Sequence, residues 1–156
     1  MTLKEKRLQI GLTQDECAAL LQISRRTYQS YENDKRKQSR VMYGYLLDKL
    51  TELTRIDENR GILSLDKICE VCAGIFKEWN VEYCYLFGSY AIGEAKQNSD
   101  IDLLVATPLT GMAFFELAEA LREGLQKKVD VLGLEQLNNN SELLGQILKH
   151  GVKIYG

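Results

Sequence analysis

The chain has 156 residues, of which 45% are hydrophobic and 27% are charged, with a formal net charge of −2. This composition is typical of a globular protein with one ordinary domain or two small ones. It excludes a membrane span, because no run approaches the roughly 18 consecutive apolar residues that one requires. It also argues against broad, non-specific binding of nucleic acid. The N-terminus, MTLKEKRLQI, has no apolar signal-peptide core, so we expect a cytoplasmic protein.

The two halves of the chain differ in charge. Residues 1–60 contain 12 Lys or Arg and 9 Asp or Glu, a net +3, whereas residues 61–156 contain 8 and 13, a net −5. The polar segment TRIDENRG lies between a part with short helical patterns and a part in which helical patterns alternate with β-branched runs. We therefore predict two domains with different roles, residues 1–57 and residues 62–156.

The first predicted domain contains two short helices joined by a tight connection. Thr13 and Glu16 form a capping box, which predicts the start of one helix. Ser24 can cap a second helix that begins at Arg25. The connection over residues 22–24 has the length found in helix-turn-helix units.

The segments GLTQ, ISRRTYQSYEN and DKRK resemble the lambda-repressor-like (Xre-type) helix-turn-helix family, over about residues 2–50. The resemblance implies that Arg25–Asn33 is a recognition helix in the major groove of operator DNA. Arg and Gln suit base edges and Lys suits phosphates, so the candidate DNA contacts are Gln14, Arg25, Arg26, Gln29, Ser30, Lys35, Arg36 and Lys37. The alternative is a small helical bundle whose basic residues are merely solvated.

Three residues depart from that family. Gln22 stands where the family usually has Gly in the turn, and Asp34 and Gln38 replace Gly and Pro after the recognition helix. Asp tolerates left-handed backbone fairly well and Gln less so, so we expect a loss of local stability rather than a different fold. The apolar pattern of residues 40–53 predicts a last helix that either closes the domain or forms a homodimer; its members are Met42, Leu46, Leu50 and Leu53.

The second predicted domain alternates helices with short strands. Strands are predicted at residues 81–87, 101–106, 129–132 and 152–155, and helices around residues 65–79, 113–126 and 135–149. This order predicts an α/β domain with a mixed sheet flanked by helices, and hence a two-domain α+β chain. Cys69 and Cys72 form a CxxC without a second ligand pair, so we expect small core residues rather than a zinc site.

An acidic motif opens the second of these strands. Asp100 and Asp102 are separated by one residue, so on a strand both side chains point to the same face. Two adjacent carboxylates repel each other unless a cation lies between them, and oxygen ligands beside a phosphate suit Mg²⁺. Gly88 permits close approach of a phosphate and Ser89 adds a hydroxyl. With Asp130 in the third strand, these residues predict a two-metal site for nucleotidyl transfer.

The segment GSYAIGEAKQNSDIDLLV resembles the GS-x10-DxD signature of the minimal nucleotidyltransferases (MNT) of the DNA polymerase β superfamily, and VDVL and ILKHGVKIYG extend the resemblance over about residues 64–156. It implies that Gly88 and Ser89 hold ATP or another NTP. It further implies that Asp100 and Asp102 bind two Mg²⁺ ions, with Asp130 sharing one metal and helping to activate an acceptor hydroxyl. Ile92 replaces the usual Arg of this family, so weak activity is expected.

Together these resemblances imply transfer of NMP, expected to be AMP from ATP, to a protein hydroxyl. Short MNT chains often resemble antitoxins that nucleotidylate a tyrosine of a HEPN-type ribonuclease toxin, and a helix-turn-helix would let such an antitoxin repress its own operon. The alternative is a DNA-binding transcriptional regulator with a catalytically weak or inactive transferase domain that senses nucleotide.

Overall fold

The computed structural model describes all 156 residues and divides into two units, Met1–Arg55 and Ile56–Gly156. The first unit is all-helical, and the second has a four-stranded mixed sheet flanked by helices. The predicted two-domain α+β class is therefore confirmed. None of the helices is long and apolar enough to cross a membrane.

The first unit contains four short helices, α1 (Leu3–Ile10), α2 (Gln14–Leu20), α3 (Arg25–Asn33) and α4 (Val41–Leu53), with a 3-10 turn at Lys35–Lys37. Side chains cap three of the N-termini. The predicted capping box of Thr13 with Glu16 and the predicted cap by Ser24 are both present. A second capping box, formed by Thr2 and Glu5, begins α1. These caps satisfy N–H groups that a helix start otherwise leaves without partners.

The core of the first unit lies between these helices. Its buried members are Leu3, Cys17, Ala18, Tyr28, Tyr43, Leu46 and Leu50. Two residues of the pattern predicted for α4 do not join this core, since Met42 is 50% exposed and Leu53 is 45% exposed. The buried stripe of the helix runs instead through Tyr43, Leu46 and Leu50, at the i, i+3, i+7 spacing of one helix face.

The turn between α2 and α3 contains a residue in left-handed backbone. Gln22 has a φ of 56°, a conformation that costs a residue with a Cβ about 1–2 kcal/mol. Asp34, in contrast, is extended, with a φ of −94°, and its side chain accepts a hydrogen bond from the backbone N–H of Arg36. Of these two residues that differ from the helix-turn-helix family, Gln22 therefore has a strained backbone and Asp34 does not.

The second unit has the order α5 (Leu65–Phe76), β1 (Tyr83–Phe87), α6 (Gly88–Ala91), β2 (Ile101–Ala106), α7 (Gly111–Leu125), β3 (Val129–Gly133), α8 (Ser141–His150) and β4 (Val152–Tyr155). The sheet order is β3-β2-β1-β4, with β2 and β3 parallel and the other pairs antiparallel. Two predicted bounds are wrong. β1 begins at Tyr83 rather than residue 81, and α8 begins at Ser141 because Leu134–Leu137 forms a separate 3-10 turn.

The sheet has one heavily packed face and one lightly packed face. On β2, Ile101, Leu103 and Val105 belong to the main core with α5 and α7, whereas Leu104 joins a small cluster with Phe87 and Ile147 of α8. The alternation of a strand therefore leaves Asp102 on the lightly packed face. Cys72 of the CxxC is fully buried in the main core, and Cys69 is partly buried, so the motif contributes to packing through Cys72.

Candidate active site and DNA-binding surface

The register of the sheet brings the predicted catalytic residues together. Phe87 pairs with Asp102 across the antiparallel β1–β2 ladder, so the Gly88-Ser89 turn begins directly beside that aspartate. Asp102 in turn pairs with Asp130 across the parallel β2–β3 ladder. Asp130 alternates with Val129 and Val131, which face the main core. Asp102 and Asp130 therefore project from the same, lightly packed face.

Gly88 contacts the carboxylate of Asp102 so closely that no other residue fits. Its φ of +70° lies in the left-handed region, and a Cβ added there would collide with Oδ2 of Asp102. Both the conformation and the space therefore require glycine at this position. Ser89 lies next to it in the four-residue helix α6 and is half-buried.

The three carboxylates influence one another electrostatically. Burial raises the pKa of Asp102, and the negative charges of Asp130 and Asp100 raise it further, to about 6. Like charges held this close disfavour ionisation of the most buried member. A cation between them would relieve that repulsion.

Lys128, two residues before Asp130, forms an ion pair with Asp100. Nζ of Lys128 lies 3.5 Å from Oδ2 of Asp100, with 61% of the lysine side chain exposed. The lysine is thus largely solvated, and its ion pair joins residues too far apart in sequence to be predicted from a local pattern. This contact competes with any metal ion for the Asp100 carboxylate.

The chemistry of the donor set fits Mg²⁺, although the side chains as they stand do not form a metal-binding group of three. Mg²⁺ takes hard oxygen ligands, commonly one or two carboxylates together with substrate phosphates. Asp100, Asp102 and Asp130 supply such oxygens, and their mutual repulsion at Asp102 favours bound positive charge. The residues present are therefore compatible with the metal that the sequence resemblance implies.

Lys127 is buried, although two consecutive lysines just before a strand suggest a solvated helix end. It is only 1% exposed, and its Nζ donates hydrogen bonds to the backbone carbonyls of Gln97, at 2.6 Å, and Arg60, at 3.0 Å. Burial lowers the pKa of Lys127, and the charge of Asp57 opposes that shift. Nothing local distinguishes it from Lys128, because its burial depends on loops distant in sequence.

In the first unit, the outer side of α3 forms a shallow concave surface lined by Arg26, Gln29, Ser30, Asn33 and Asp34. Three of these are predicted DNA contacts. Arg25 lies at the start of the same helix and forms an exposed ion pair with Asp15 at 3.1 Å. Helix α3 thus presents Arg26, Gln29, Ser30 and Asn33 on one side.

Two predicted DNA contacts take part in an internal hydrogen-bond network. Nε2 of Gln29 donates to Oε1 of Gln14 at 2.8 Å, and Nε2 of Gln14 donates to Glu32 at 2.9 Å. The buried Glu32 also accepts two bonds from Arg7, at 2.8 and 3.1 Å. This network orients the two glutamines on α2 and α3, and Glu32 and Arg7 are members that the sequence analysis missed.

Two of the three basic residues after α3 make contacts within the first unit. Arg36 forms an ion pair with Asp34 at 3.1 Å. Lys37 donates to the hydroxyl of Ser30 and lies 5.0 Å from the ring centre of Tyr31. Lys35 is exposed. The assignment of these residues, and of the two glutamines, as DNA contacts stays a prediction.

Comparison with protein families agrees with both units. Residues 70–156, more than half of the chain, match the model described as polymerase beta, nucleotidyltransferase. The chain belongs to the polymerase β nucleotidyltransferase family. Residues 3–40 match a helix-turn-helix model. The predicted recognition of a nucleotidyltransferase domain fused to an N-terminal helix-turn-helix is therefore confirmed, and the second unit is a nucleotidyltransferase domain.

Two curated relatives share part of this chain. The protein adenylyltransferase MntA of Shewanella oneidensis is 36% identical over 78 residues, which are 49% of this chain and 55% of that protein. A protein of Methanocaldococcus jannaschii is 41% identical over 58 residues, 36% of this chain and 67% of that protein. The chain thus spans little more than half of the length of MntA.

Solved structures show weaker likenesses. A toxin–antitoxin crystal structure with AMP-PNP has a TM-score of 0.49 and 31% identity, covering 60% of this chain and 74% of that one. A tri-AMPylated HEPN toxin of Shewanella oneidensis in complex with its MNT antitoxin has a TM-score of 0.46 and 25% identity, covering 59% and 72%. Both TM-scores are too low to establish a common fold by themselves.

Proposed function

We propose that this chain is a Mg²⁺-dependent nucleotidyltransferase that transfers NMP, AMP from ATP, to a protein hydroxyl. The observation that carries the proposal is the sheet register, in which Asp102 lies beside Asp130 and beside the turn that follows Phe87. Family membership supports the reaction class. The similarity to a protein adenylyltransferase supports AMP as the transferred group and a protein as the acceptor.

In this proposal, different residues of the site bind the triphosphate and the metal ions. The backbone of Gly88 and the hydroxyl of Ser89 bind the triphosphate. Asp100, Asp102 and Asp130 would hold two Mg²⁺ ions, which when bound neutralise phosphate charge and polarise the acceptor hydroxyl.

Asp130 is exposed and accessible to an acceptor. Its carboxylate accepts the proton of the hydroxyl as the oxygen of the acceptor forms a bond to the α-phosphorus. The bond from that phosphorus to the bridging oxygen breaks in line, and pyrophosphate leaves.

We further propose that the acceptor is a tyrosine of a HEPN-type ribonuclease toxin, so that the chain acts as an antitoxin. The resemblance of GSYAIGEAKQNSDIDLLV to minimal nucleotidyltransferases supports this partner. In the same proposal the first unit represses the operon by binding operator DNA through α3. Helix-turn-helix proteins commonly bind as dimers with two recognition helices one helical turn of DNA apart, so a homodimer is part of the proposal.

The test uses ATP labelled at the α-phosphate or the γ-phosphate, Mg²⁺ and the protein product of the neighbouring gene. Label from the α-position should appear on the partner, label from the γ-position should not, and Asp100→Ala should abolish the transfer. Full neutralisation of the partner by Asp100→Ala would contradict the catalytic proposal.

A second candidate function is a DNA-binding regulator whose transferase domain is weak or inactive. Two observations favour it: Ile92, which stands where the family commonly has Arg, is 48% exposed, and Lys128 occupies the Asp100 carboxylate. Ile92→Arg separates the two candidates. An increase in transfer indicates an enzyme slowed by this replacement, whereas no transfer by either protein favours the regulator.

A further inference from the structure

Lys127 and Glu32 are the two buried charged residues of the chain. Glu32 forms an ion pair with Arg7. The ammonium group of Lys127 donates hydrogen bonds to two backbone carbonyls. Burying a long cationic side chain costs free energy unless hydrogen bonds compensate for the lost water. The two hydrogen bonds of Lys127 supply this compensation, and the segments that contain their acceptors indicate what the side chain does.

One acceptor lies in the loop that connects the Gly-Ser turn to the acidic motif. Residues 93–99 form neither helix nor strand. Their other hydrogen bonds are local: Glu94 N–H to the Ser89 carbonyl, and a reciprocal pair between Lys96 and Ser99. The bond from Lys127 to the Gln97 carbonyl is the one that ties this loop to the β3 side of the sheet.

The position of this bond relates it to the metal-binding acids. Gln97 precedes Asp100 by three residues, and Lys127 precedes Asp130 by three residues. One residue after each of Asp100 and Lys127, the backbone N–H of Ile101 donates a hydrogen bond to the carbonyl of Lys128 at 2.9 Å. The lysine thus adds a cross-link immediately before the point at which β2 and β3 begin to pair.

The second acceptor, the Arg60 carbonyl, belongs to a turn in which Asp57 and Arg60 exchange backbone hydrogen bonds. One ammonium therefore joins three separate segments: the 57–60 turn, the 93–99 loop and the entry to β3. A lysine can do so because its ammonium has three donors on a flexible stem.

We propose that Lys127 is a positioning residue that fixes the 93–99 loop and thereby sets Asp100 beside Asp102 and Asp130. It does not touch substrate in this account. Its effect on metal binding rests on the proposed function, whereas its restraint of the loop does not.

The restraint is tested by hydrogen exchange at residues 93–99 in Lys127→Met, which keeps the length of the stem and removes the ammonium. Leu121→Ala, a core cavity variant of the same unit, controls for general loss of stability, and Lys77→Met controls for loss of an exposed cation. We expect exchange in the loop about tenfold faster or more in Lys127→Met alone, because a local opening has become easier.

The second arm measures the affinity for Mn²⁺, used as a probe for Mg²⁺, by calorimetry without nucleotide. Removing a group that orients metal ligands typically weakens affinity about 10-fold to 100-fold, and we expect this for Lys127→Met but not for Leu121→Ala. Lys127→Arg, which retains the cation and its donors, should recover part of the affinity. Lys127→Gln should show the same faster loop exchange and weaker Mn²⁺ affinity, to a smaller degree. It replaces Lys127→Met in both measurements if the Met variant does not fold.

The outcomes separate the two proposals. Equal loop exchange in Lys127→Met and Leu121→Ala overturns the restraint, and faster exchange with unchanged Mn²⁺ affinity overturns the positioning of Asp100. If the wild type binds no Mn²⁺, the proposed metal-dependent function is contradicted, and the exchange result still decides the restraint.

Discussion

A methyl group at position 88 would have no room, because Gly88 has a φ of +70° and an added Cβ would collide with Oδ2 of Asp102. We expect Gly88→Ala to displace the Asp102 carboxylate and to reduce nucleotidyl transfer at least about tenfold, a loss of about 1.4 kcal/mol in transition-state stabilisation. The measurement is the rate of label transfer from ATP, with thermal unfolding recorded in parallel.

Gly93 provides the matched control for this substitution. It also has a positive φ, of +75°, but an added Cβ would meet nothing within 4 Å. Gly93→Ala should therefore show the cost of left-handed backbone without the displacement of Asp102. Equal losses of transfer in the two variants would show that the contact with Asp102 is unimportant.

The carboxylate of Glu32 links pH to the stability of the first unit. Burial raises its pKa, but the hydrogen bonds from Arg7 and Gln14 and the charge of Arg7 outweigh burial and lower the pKa from its usual value. A carboxyl group with a lowered folded-state pKa stabilises the fold above its unfolded pKa and loses that effect as the pH falls through the folded value. We therefore expect this stabilisation at neutral pH and its loss below about pH 4.5.

Glu32→Gln checks this expectation, because it removes the charge and keeps one acceptor oxygen. The free energies of unfolding of the first unit in the two proteins should differ at pH 7 and converge below pH 4.5. Other acids titrate in the same range, so the difference between the proteins is the quantity to follow. A difference that is independent of pH would contradict the assignment.

At the scale of the element, the turn between α2 and α3 contains avoidable strain. Gln22 is exposed and has a φ of 56°. We expect Gln22→Gly to stabilise the first unit by about 0.5–1 kcal/mol, the relief of left-handed strain less the added entropy of glycine in the unfolded chain. Chemical denaturation followed by circular dichroism measures this. Gln22→Ala, which removes the side chain but keeps Cβ, should give no gain; an equal gain would disprove the backbone explanation.

The proposed role of α3 as a recognition helix leads to a prediction for operator binding. Arg25→Ala/Arg26→Ala should weaken operator binding about tenfold or more, since base and phosphate contacts from arginine contribute about 1–3 kcal/mol each. The Arg25–Asp15 ion pair is exposed, so its loss should leave the helix folded. Gel shifts measure the effect, and Lys4→Ala/Lys77→Ala removes the same charge elsewhere. Similar losses in both double variants would indicate a non-specific charge effect.

The elements that could be predicted from sequence are those whose signals are local. The capping box at Thr13 and the cap at Ser24 need neighbours within three residues, and the bounds of β2 and β4 follow from short apolar runs. The closeness of Gly88 to Asp102 could be expected from the GS-x10-DxD spacing that carries the family resemblance and from the alternation of side chains on a strand.

What could not be predicted depends on contacts between distant segments. Lys127 and Lys128 are identical neighbours in sequence, yet one is buried on the carbonyls of Gln97 and Arg60 and the other is exposed beside Asp100. The network of Gln14, Gln29 and Glu32 likewise joins two helices. Residue type alone marked the glutamines as DNA contacts and gave no sign of their internal hydrogen bonds.

At the scale of the whole molecule, the change in charge near residue 60 lies close to the boundary between the two structural units at residues 55 and 56. The residues up to 60 carry a net +3 and the remainder a net −5, and the two units each have their own buried cluster. A basic helical unit suits operator DNA, whereas the acidic groups of the other unit cluster where a metal would bind. The proposed repressor and transferase activities thus use different residues.

The central proposal, transfer of AMP to a partner protein, is tested most directly by the intact mass of that partner. The protein product of the neighbouring gene is co-expressed with the wild-type chain or with Asp102→Asn and then weighed by mass spectrometry. We expect added mass in whole AMP units with the wild type and none with Asp102→Asn. An unmodified partner that the wild-type chain nevertheless neutralises would contradict it.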